Sequence, residues 1–326
     1  MRTAIIVFAF SVLSLELVYA GGRPELVNAQ EIALDQIYAI TIRYQSGDII
    51  LLRHDSDALV IREYLSTDNH ELFAAITRSG NELLVSGGHR PVTFGAFGSR
   101  IEIFIPASDR SITVTSSSGD IVTSGEHAAS SFHIESSSGR IVVNSVTANN
   151  VSIGSASGRI TANSVTADSV NIESSSGRIT VGSLTSGKAS IESSSGGIAL
   201  GTVYGDVSVR STSGTIELDR ADGAVRIRST SGRVRSTLAR NAGDVAIETT
   251  SGSVTLNLPP CLAFNFSSRT SSGNLQTPFA YRLFRPLTDR NSAQGVIVEG
   301  GVLNDDIHRS IDIRTGSGSI RINWTD

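Results

Sequence analysis

The chain has 326 residues, of which 39% are hydrophobic and only 6% aromatic, and it contains 31 glycines. This composition is typical of thin, stacked β-structure and is enough for one large domain or two ordinary ones. The formal net charge is −4, with 27 basic against 31 acidic side chains, which argues against a nucleic-acid-binding protein. The single cysteine cannot form an intramolecular disulfide, so packing and backbone hydrogen bonds must supply the stability.

The first residues carry the pattern of an export signal. Arg2 precedes an apolar run from Ala4 to Leu15, and Val18-Tyr19-Ala20 offers the residues that a signal peptidase reads. We predict a signal peptide over residues 1–20, with an uncleaved anchor as the alternative. The run is short for a bilayer span, and the mature sequence offers no other transmembrane candidate. The expected location is therefore the cell envelope, periplasmic or at the cell surface, or the extracellular medium.

Residues 21–110 are predicted to form an irregular β region that caps or flanks the repeats. Residues 40–51 fit the repeat template once, with Gly47 at the position of the turn. The remaining strand candidates are residues 59–64, 72–76, 83–86 and 101–105. Pro106 ends the last of them, and the regular array begins shortly afterwards.

Residues 111–277 repeat every 18 to 21 residues, and a Ser-Gly pair marks each copy. The glycines of these pairs, with a further copy near the end of the chain, are Gly119, Gly139, Gly158, Gly177, Gly196, Gly214, Gly232, Gly252, Gly273 and Gly318. Apolar residues lie seven and five positions before the glycine and two and usually four after it. This alternation indicates strands with one buried face, and its phase shifts at the glycine, so the chain turns a corner there.

The pattern predicts an all-β fold, a parallel β-solenoid built from stacked rungs. Parallel β crossovers strongly prefer the right hand. Left-handed hexapeptide helices have apolar residues at every sixth position, a pattern that this sequence lacks. We therefore predict a right-handed β-helix. Glycine is expected at the corner because it adopts positive φ without a clash. The Ser or Thr residues three and one positions earlier are expected to face inward and to hydrogen-bond along the solenoid axis.

Residues 278–326 are predicted to form an aromatic insertion followed by a C-terminal capping rung. Phe279, Tyr281 and Phe284 belong to the densest aromatic cluster of the chain. One interpretation is a cap that covers the last open rung, because terminal repeats are atypical. The other is a binding loop with exposed aromatic anchors. The burial of these side chains distinguishes the two.

The sequence resembles a family of bacterial exported β-strand-repeat proteins, the DUF4097 type, known as putative adhesins. The resemblance rests on the run from Ile101 to Pro106 leading to Ser118-Gly119-Asp120-Ile121, on the serial Ser-Ser-Ser-Gly-Arg-Ile copies, and on the ending from Gly300 to Ile320. It covers most of residues 35–326. It implies a solenoid exposed at the cell envelope with an adhesin-like role, and it brings no catalytic residues.

Residue patterns for chemistry are missing from the sequence. The six histidines show no metal-ligand spacing, and phosphate-binding loops and dinucleotide fingerprints are absent. The segment from Gly154 to Gly158 has Ala156 where a nucleophile elbow needs serine. A polar turn explains the cluster of Asp305, Asp306 and His308 at least as well as a metal site or an acid/base site. We predict no catalytic residue, no cofactor and no metal.

Two rows of charge form the candidate interaction strip. Arg140, Arg159 and Arg178 follow the corner glycine, while Glu135, Glu173 and Glu192 stand four residues before it. They form either a solvated face in which the Glu row compensates the Arg row, or a surface that binds a repetitive partner. The leading hypothesis is an adhesin-like interaction or scaffold protein whose partner is a glycan or protein of the envelope or of a host surface.

Two other functions remain open. One alternative is a polysaccharide-active β-helix enzyme. Such an enzyme would need clustered acidic side chains on one face, and we expect the rungs to carry no stacked carboxylate pairs. An envelope-stress sensing component is the other, although the chain offers no helix for transmission.

Overall fold

The computed structural model describes residues 24–88, 98–107, 109–260, 264–279, 284–286, 292–297 and 309–325. The predicted signal peptide lies outside these residues, as do Tyr281, Asp305, Asp306 and His308. The N-terminal strands are β1 Glu25–Ala33, β2 Ala39–Ser46, β3 Asp48–His54, β4 Ala58–Leu65, β5 Ala75–Ser79, β6 Glu82–Ser86 and β7 Ser99–Pro106, with one 3-10 turn at His70–Leu72.

The remaining strands carry the repeats and the C-terminal region. The first group is β8 Ser111–Ser118, β9 Ile121–Ser136, β10 Ile141–Ser155, β11 Ile160–Ser174, β12 Ile179–Ser193 and β13 Ile198–Ser211. The second is β14 Ile216–Asp222, β15 Val225–Ser229, β16 Val234–Leu238, β17 Val245–Thr249 and β18 Val254–Leu258. The last is β19 Phe264–Thr270, β20 Leu275–Gln276, β21 Phe284–Pro286, β22 Ser292–Ile297, β23 Ser310–Thr315 and β24 Ile320–Trp324.

Successive repeats stack in parallel and in register. Ile153 pairs with Ile172, and Ile172 pairs with Ile191 in the following rung. These inward residues are fully buried and form one column of a core that runs without interruption from Leu34 to Ile322. The prediction of an all-β parallel solenoid is therefore confirmed, while its handedness stays a prediction.

Each long rung has more turns than the single glycine corner that the sequence indicated. The residues of β10 that pair with β11 fall in three runs, 141–143, 145–148 and 150–155. The inward face shifts phase between the runs, because Val143 and Val146 are both buried, as are Ala148 and Val151. The middle run is too short for its alternation to stand out in the sequence.

Close stacking, and not positive φ, explains most of the corner glycines. Only Gly119 and the early Gly47 among the corner positions adopt the left-handed φ that was expected there. At Gly139 and the later corners an added Cβ would lie about 2 Å or less from the carbonyl oxygen of the corner glycine in the neighbouring rung, for example 1.9 Å at Gly177. The absence of a side chain is thus what allows the rungs to approach.

The buried Ser/Thr column also hydrogen-bonds differently from the expectation. The hydroxyl of Ser174 accepts the N–H of the corner glycine Gly177 of its own rung at 2.9 Å. The same contact is made by Ser136, Ser155, Ser211, Ser229, Thr249, Thr270 and Thr315. Each of these hydroxyls therefore satisfies a backbone donor at its own turn. Thr270 and Thr315 also donate along the axis, to the carbonyls of Gly318 and Gly252. The serine one position before the corner, such as Ser176, is exposed, so the expectation that it also faces inward was wrong.

At the N-terminal end the stacking order differs from the chain order. The rung formed by β2 and β3 lies between β6 and β7 on one side and β8 and β9 on the other. Strands β1, β4 and β5 then add in antiparallel fashion, β4 on β7, β1 on β4 and β5 on β6. The rung expected around Gly47 is present, and the antiparallel strands cover its end of the stack.

At the C-terminal end the stacking order also differs from the chain order. The last rung in the sequence was expected to cap the stack, and this expectation was wrong. Strands β23 and β24, which we call the C-terminal rung, do not end the stack but lie between β17–β18 and β19–β20. The outermost rung carries Phe264 and Phe266, whereas the inner rungs have Ile311 and Val245 in register with Phe266. Aromatic rings cover more area than aliphatic side chains, so the aromatic rung is the one suited to close the open end.

Candidate functional site

A groove of about 980 Å³ runs along the solenoid beside the glycine corner. Its defining feature, which we call the charged row, consists of the residues four positions before each corner glycine. In stacking order the charged row is Glu135, Gly154, Glu173, Glu192, Arg210, Arg228, Glu248, Arg314 and Arg269. At about 4.8 Å per rung, these nine positions extend roughly 38 Å along the axis.

The alternation of the strand forces these side chains outward. Ile172 and Ser174 face the core, so Glu173 between them points to solvent. A second lining row lies two positions before each corner glycine and is made mostly of serine and threonine, including Ser175, Ser194 and Thr212. The groove therefore combines a row of charges with a row of small hydroxyl-bearing side chains.

Charge is unevenly distributed along the charged row. Glu135, Glu173 and Glu192 occupy one end, and Arg314 and Arg269 occupy the other. Two ion pairs join neighbouring rungs in the middle: Arg210 to Glu192 at 2.6 Å and Arg228 to Glu248 at 3.0 Å. These pairs neutralise the middle of the charged row, and Arg314 pairs with Asp312 of its own strand at 2.6 Å. Glu173 toward the acidic end and Arg269 at the basic end form no ion pair with any described residue.

In a solvated face of the kind considered from the sequence, the charges of the Glu row would neutralise those of the Arg row. The structure describes all six side chains and does not show ion pairs between these two rows. Arg140 pairs with Asp120 at 2.8 Å, and Glu192 pairs with Arg210. Arg159 and Arg178 form no ion pair with any described residue. The corner itself separates the two rows, since the turn at the glycine lies between them. The structure thus places the three glutamates in the groove and the three arginines on the far side of the corner.

The expectation that the rungs carry no stacked carboxylate pairs was wrong. Glu173 and Glu192 are register partners in adjacent strands. Their separation of 19 residues in the sequence, equal to the local repeat, was the signal that could have revealed the pair.

Sequence reasoning also missed the basic end of the groove. Arg210, Arg228, Arg314 and Arg269 occupy the same template position as the glutamates. Counting four residues back from Gly214, Gly232, Gly318 and Gly273 would have identified them. Only the stacking order, however, shows that Arg314 precedes Arg269 along the groove.

The aromatic insertion lies partly in the core. Phe279 is 9% exposed, and its ring lies 5.2 Å from Phe266, 5.4 Å from Trp324 and 5.9 Å from Phe264 between centroids. This burial favours capping over binding for Phe279. The backbone of Phe284 belongs to β21, which pairs with β22.

One buried histidine interrupts the aliphatic core. His127 takes the inward position that Val146 holds in the next rung, and its ring lies 6.2 Å from Phe132. Burial lowers the pKa of His127, an effect that Arg53 reinforces and that backbone hydrogen bonds with Ser124 and Leu51 oppose. Among the described residues, its Nε2 atom has no hydrogen-bond partner.

Two further properties bear on chemistry. The described residues contain no cluster of three or more His, Cys, Asp and Glu side chains able to hold a metal ion. In the same part of the chain, no helix has the length and hydrophobicity needed to cross a bilayer. What the described residues offer at the groove is thus an array of polar and charged side chains.

Several solved structures are similar to this chain. A putative adhesin from Parabacteroides distasonis ATCC 8503 aligns with a TM-score of 0.49 at 11% identity, over 91% of this chain and 96% of its own. A putative adhesin from Bacteroides fragilis NCTC 9343 gives 0.44 at 16% identity, over 71% and 96%. A putative lipid binding protein from Parabacteroides distasonis ATCC 8503 gives 0.45 at 14% identity, over 94% and 98%.

No curated protein matches the sequence significantly. A family model does match, and it does so twice in succession, over residues 37–202 and 200–323. The two matches span the early rung, the whole regular array and the C-terminal rung. The chain therefore belongs to the Toastrack DUF4097 family.

Proposed function

We propose that this protein is an exported β-solenoid of the cell envelope that binds or scaffolds a partner and performs no catalysis. The observation that carries this proposal is the groove, in which eight of nine successive rungs present a charged side chain. Backbone ladders on both sides hold each rung in place. A rigid array of this kind binds without a large ordering cost, because its groups are already positioned.

The groove indicates an elongated, polar partner. No aromatic side chain is among its lining residues, so stacking on sugar rings or apolar groups contributes little. Acidic and basic ends of the charged row favour a partner that carries both charges or many hydroxyl groups. An envelope or host-surface glycan, or an extended protein segment, meets this description. Nucleic acid does not, because Glu135, Glu173 and Glu192 would repel its phosphates.

A binding assay with matched charge reversals tests the role of the groove. Glu173→Arg changes the groove, and Glu217→Arg makes the same charge change at an exposed position on a different strand, β14. Purified variants are compared for binding to envelope fractions and to intact cells. We expect Glu173→Arg to bind about tenfold more weakly, which corresponds to ~1.4 kcal/mol, and Glu217→Arg to match the wild type. Equal binding by both variants contradicts a role for the groove.

The location is tested separately, by fractionation and protease shaving of cells that produce the native protein. Export is supported by Arg2, the apolar run up to Leu15 and the Val18-Tyr19-Ala20 sequence. Protection from added protease together with release on outer-membrane disruption indicates a periplasmic protein. Cleavage on intact cells indicates surface exposure. Retention in the cytosolic fraction contradicts the proposal.

The stacked pair Glu173 and Glu192 favours a second candidate, a polysaccharide-active enzyme. Glycoside hydrolysis uses two carboxyl groups on either side of the scissile bond. Glu173 is exposed and Glu192 is already ion-paired with Arg210, so neither has the enclosed apolar surroundings that tune a general acid. Cleavage of an acidic polysaccharide that is lost in both Glu173→Gln and Glu192→Gln would establish this activity. The described residues offer no observation in favour of the signalling alternative.

A further inference from the structure

The C-terminal rung is held entirely by residues far away in the sequence. Ile311 and Ile313 pair with Val245 and Ile247 on one side and with β19 on the other. At its start, the Oδ1 atom of Asp244 accepts hydrogen bonds from the N–H and the hydroxyl of Ser310, at 2.7 and 2.9 Å. These contacts fill a slot between two rungs that precede it in the chain.

The outer end of the solenoid depends on this rung. Among the described residues, β19 and β20 pair with the body of the solenoid only through β23 and β24, and β21 and β22 attach only to β19. Trp324 of the rung also contacts Phe279. The slot must therefore be filled for the aromatic end of the solenoid to be held in place.

The contacts that fill the slot follow the general rung template. Gly318 stacks on Gly252 as every other corner glycine stacks on its neighbour, and the hydroxyl of Thr315 donates to the carbonyl of Gly252 at 3.2 Å. None of these contacts depends on which chain supplies the rung. Eleven residues separate Ile297 from Arg309, a connection that reaches at most roughly 40 Å when extended.

We propose that residues 309–325 exchange between copies of this chain, so that the C-terminal rung of one copy fills the slot of another. The exchanged and closed forms share every contact within the slot, so only the connection and the protein concentration decide between them. A connection of this length gives the closed form an effective concentration of the order of millimolar, so exchange requires crowded or jointly folded copies. The exchanged rung carries Arg314 of the charged row, so in the exchanged form a second copy supplies part of the basic end of the groove. The proposal does not depend on what the groove binds.

Cross-linking between two single-cysteine variants tests the exchange in the full chain. Glu248 and Arg314 are exposed register partners across the slot. Glu248→Cys and Arg314→Cys are made separately in a Cys261→Ser background, unfolded, mixed, refolded together at high concentration and treated with a short thiol cross-linker. We expect a covalent species containing one copy of each variant, at twice the 34.3 kDa mass of the chain.

The controls use the same chemistry elsewhere in the stack. Glu192→Cys mixed with Arg210→Cys places partners in two rungs that are continuous in the chain, and this mixture should give no heterodimer. A single chain carrying both Glu248→Cys and Arg314→Cys should cross-link internally at monomer mass. Internal cross-linking without any heterodimer overturns the exchange, as does equal heterodimer in the control mixture. Failure of the internal cross-link overturns the placement of the rung itself.

Discussion

Alanine at Gly196 should destabilise the solenoid severely, whereas alanine at the next residue, Gly197, should not. A Cβ at Gly196 would lie 1.9 Å from the carbonyl oxygen of Gly177, but the nearest atom to a Cβ at Gly197 is 3.5 Å away. Ordinary contact starts near 3.4 Å, so the two corners would have to move about 1.5 Å apart. That movement stretches the neighbouring bond from the Ser195 N–H to the Ser175 carbonyl, now 3.0 Å. Overpacking plus weakened hydrogen bonds should cost about 3 to 5 kcal/mol.

Urea unfolding followed by circular dichroism measures this difference. Gly196→Ala should lower the unfolding midpoint by about 1 M or more, given typical denaturant slopes. Gly197→Ala should leave it unchanged or raise it slightly, because alanine reduces the entropy of the unfolded chain by about 0.4 to 1 kcal/mol. If the two variants unfold at the same midpoint, close approach of the rungs is not the reason for glycine at the corner.

Two further substitutions test the core. Below its ordinary pKa of 6.5, His127 is protonated in the unfolded chain while burial keeps it neutral in the folded chain, so stability should fall as the pH drops below 6.5. The urea midpoint of the wild type should therefore be lower at pH 5 than at pH 7.5, and His127→Val should reduce this difference. If the difference is unchanged in His127→Val, protonation of His127 is not its cause. Phe279→Ala should cost about 3 to 5 kcal/mol of stability. It should leave partner binding intact under conditions where the variant stays folded, whereas an exposed anchor would show weaker binding and normal stability.

Much of the fold follows from periodicity alone. The spacing of Gly158, Gly177 and Gly196 specifies the rung length, and the alternation around each glycine specifies which residues face inward. Both are properties of a single rung, and neighbouring rungs only repeat them. For the same reason, the buried Ser/Thr residues three positions before each glycine could be identified correctly. The serines one position before it, such as Ser176, are exposed, because the chain has already left the strand alternation at the turn.

The details that the sequence did not predict depend on distances between rungs or on the exact geometry of the turn. Positive φ is a common reason for glycine at a turn. Here glycine is required because Gly177 and Gly196 of neighbouring rungs lie too close for a side chain, and this distance cannot be read from the sequence of one rung. The hydrogen bond from the Gly177 N–H to the Ser174 hydroxyl, at 2.9 Å, lies within one rung but depends on the backbone geometry of the turn, which the residue pattern does not specify. The charge pairing of Glu192 with Arg210 likewise depends on a neighbour 18 residues away.

The sequence by itself determined the repeat and the inward columns, because each is encoded by residues close together in the chain. Only the tertiary structure decided the order of the rungs at the two ends. Any rung that fits the template can stack on any other, so the local pattern leaves their order open. Large aromatic side chains at Phe264, Phe266 and Phe279 favour the open end of the stack, and their rung therefore lies outside the one that follows it in the chain. That order also determines the groove, since it brings Arg314 and Arg269 to its basic end.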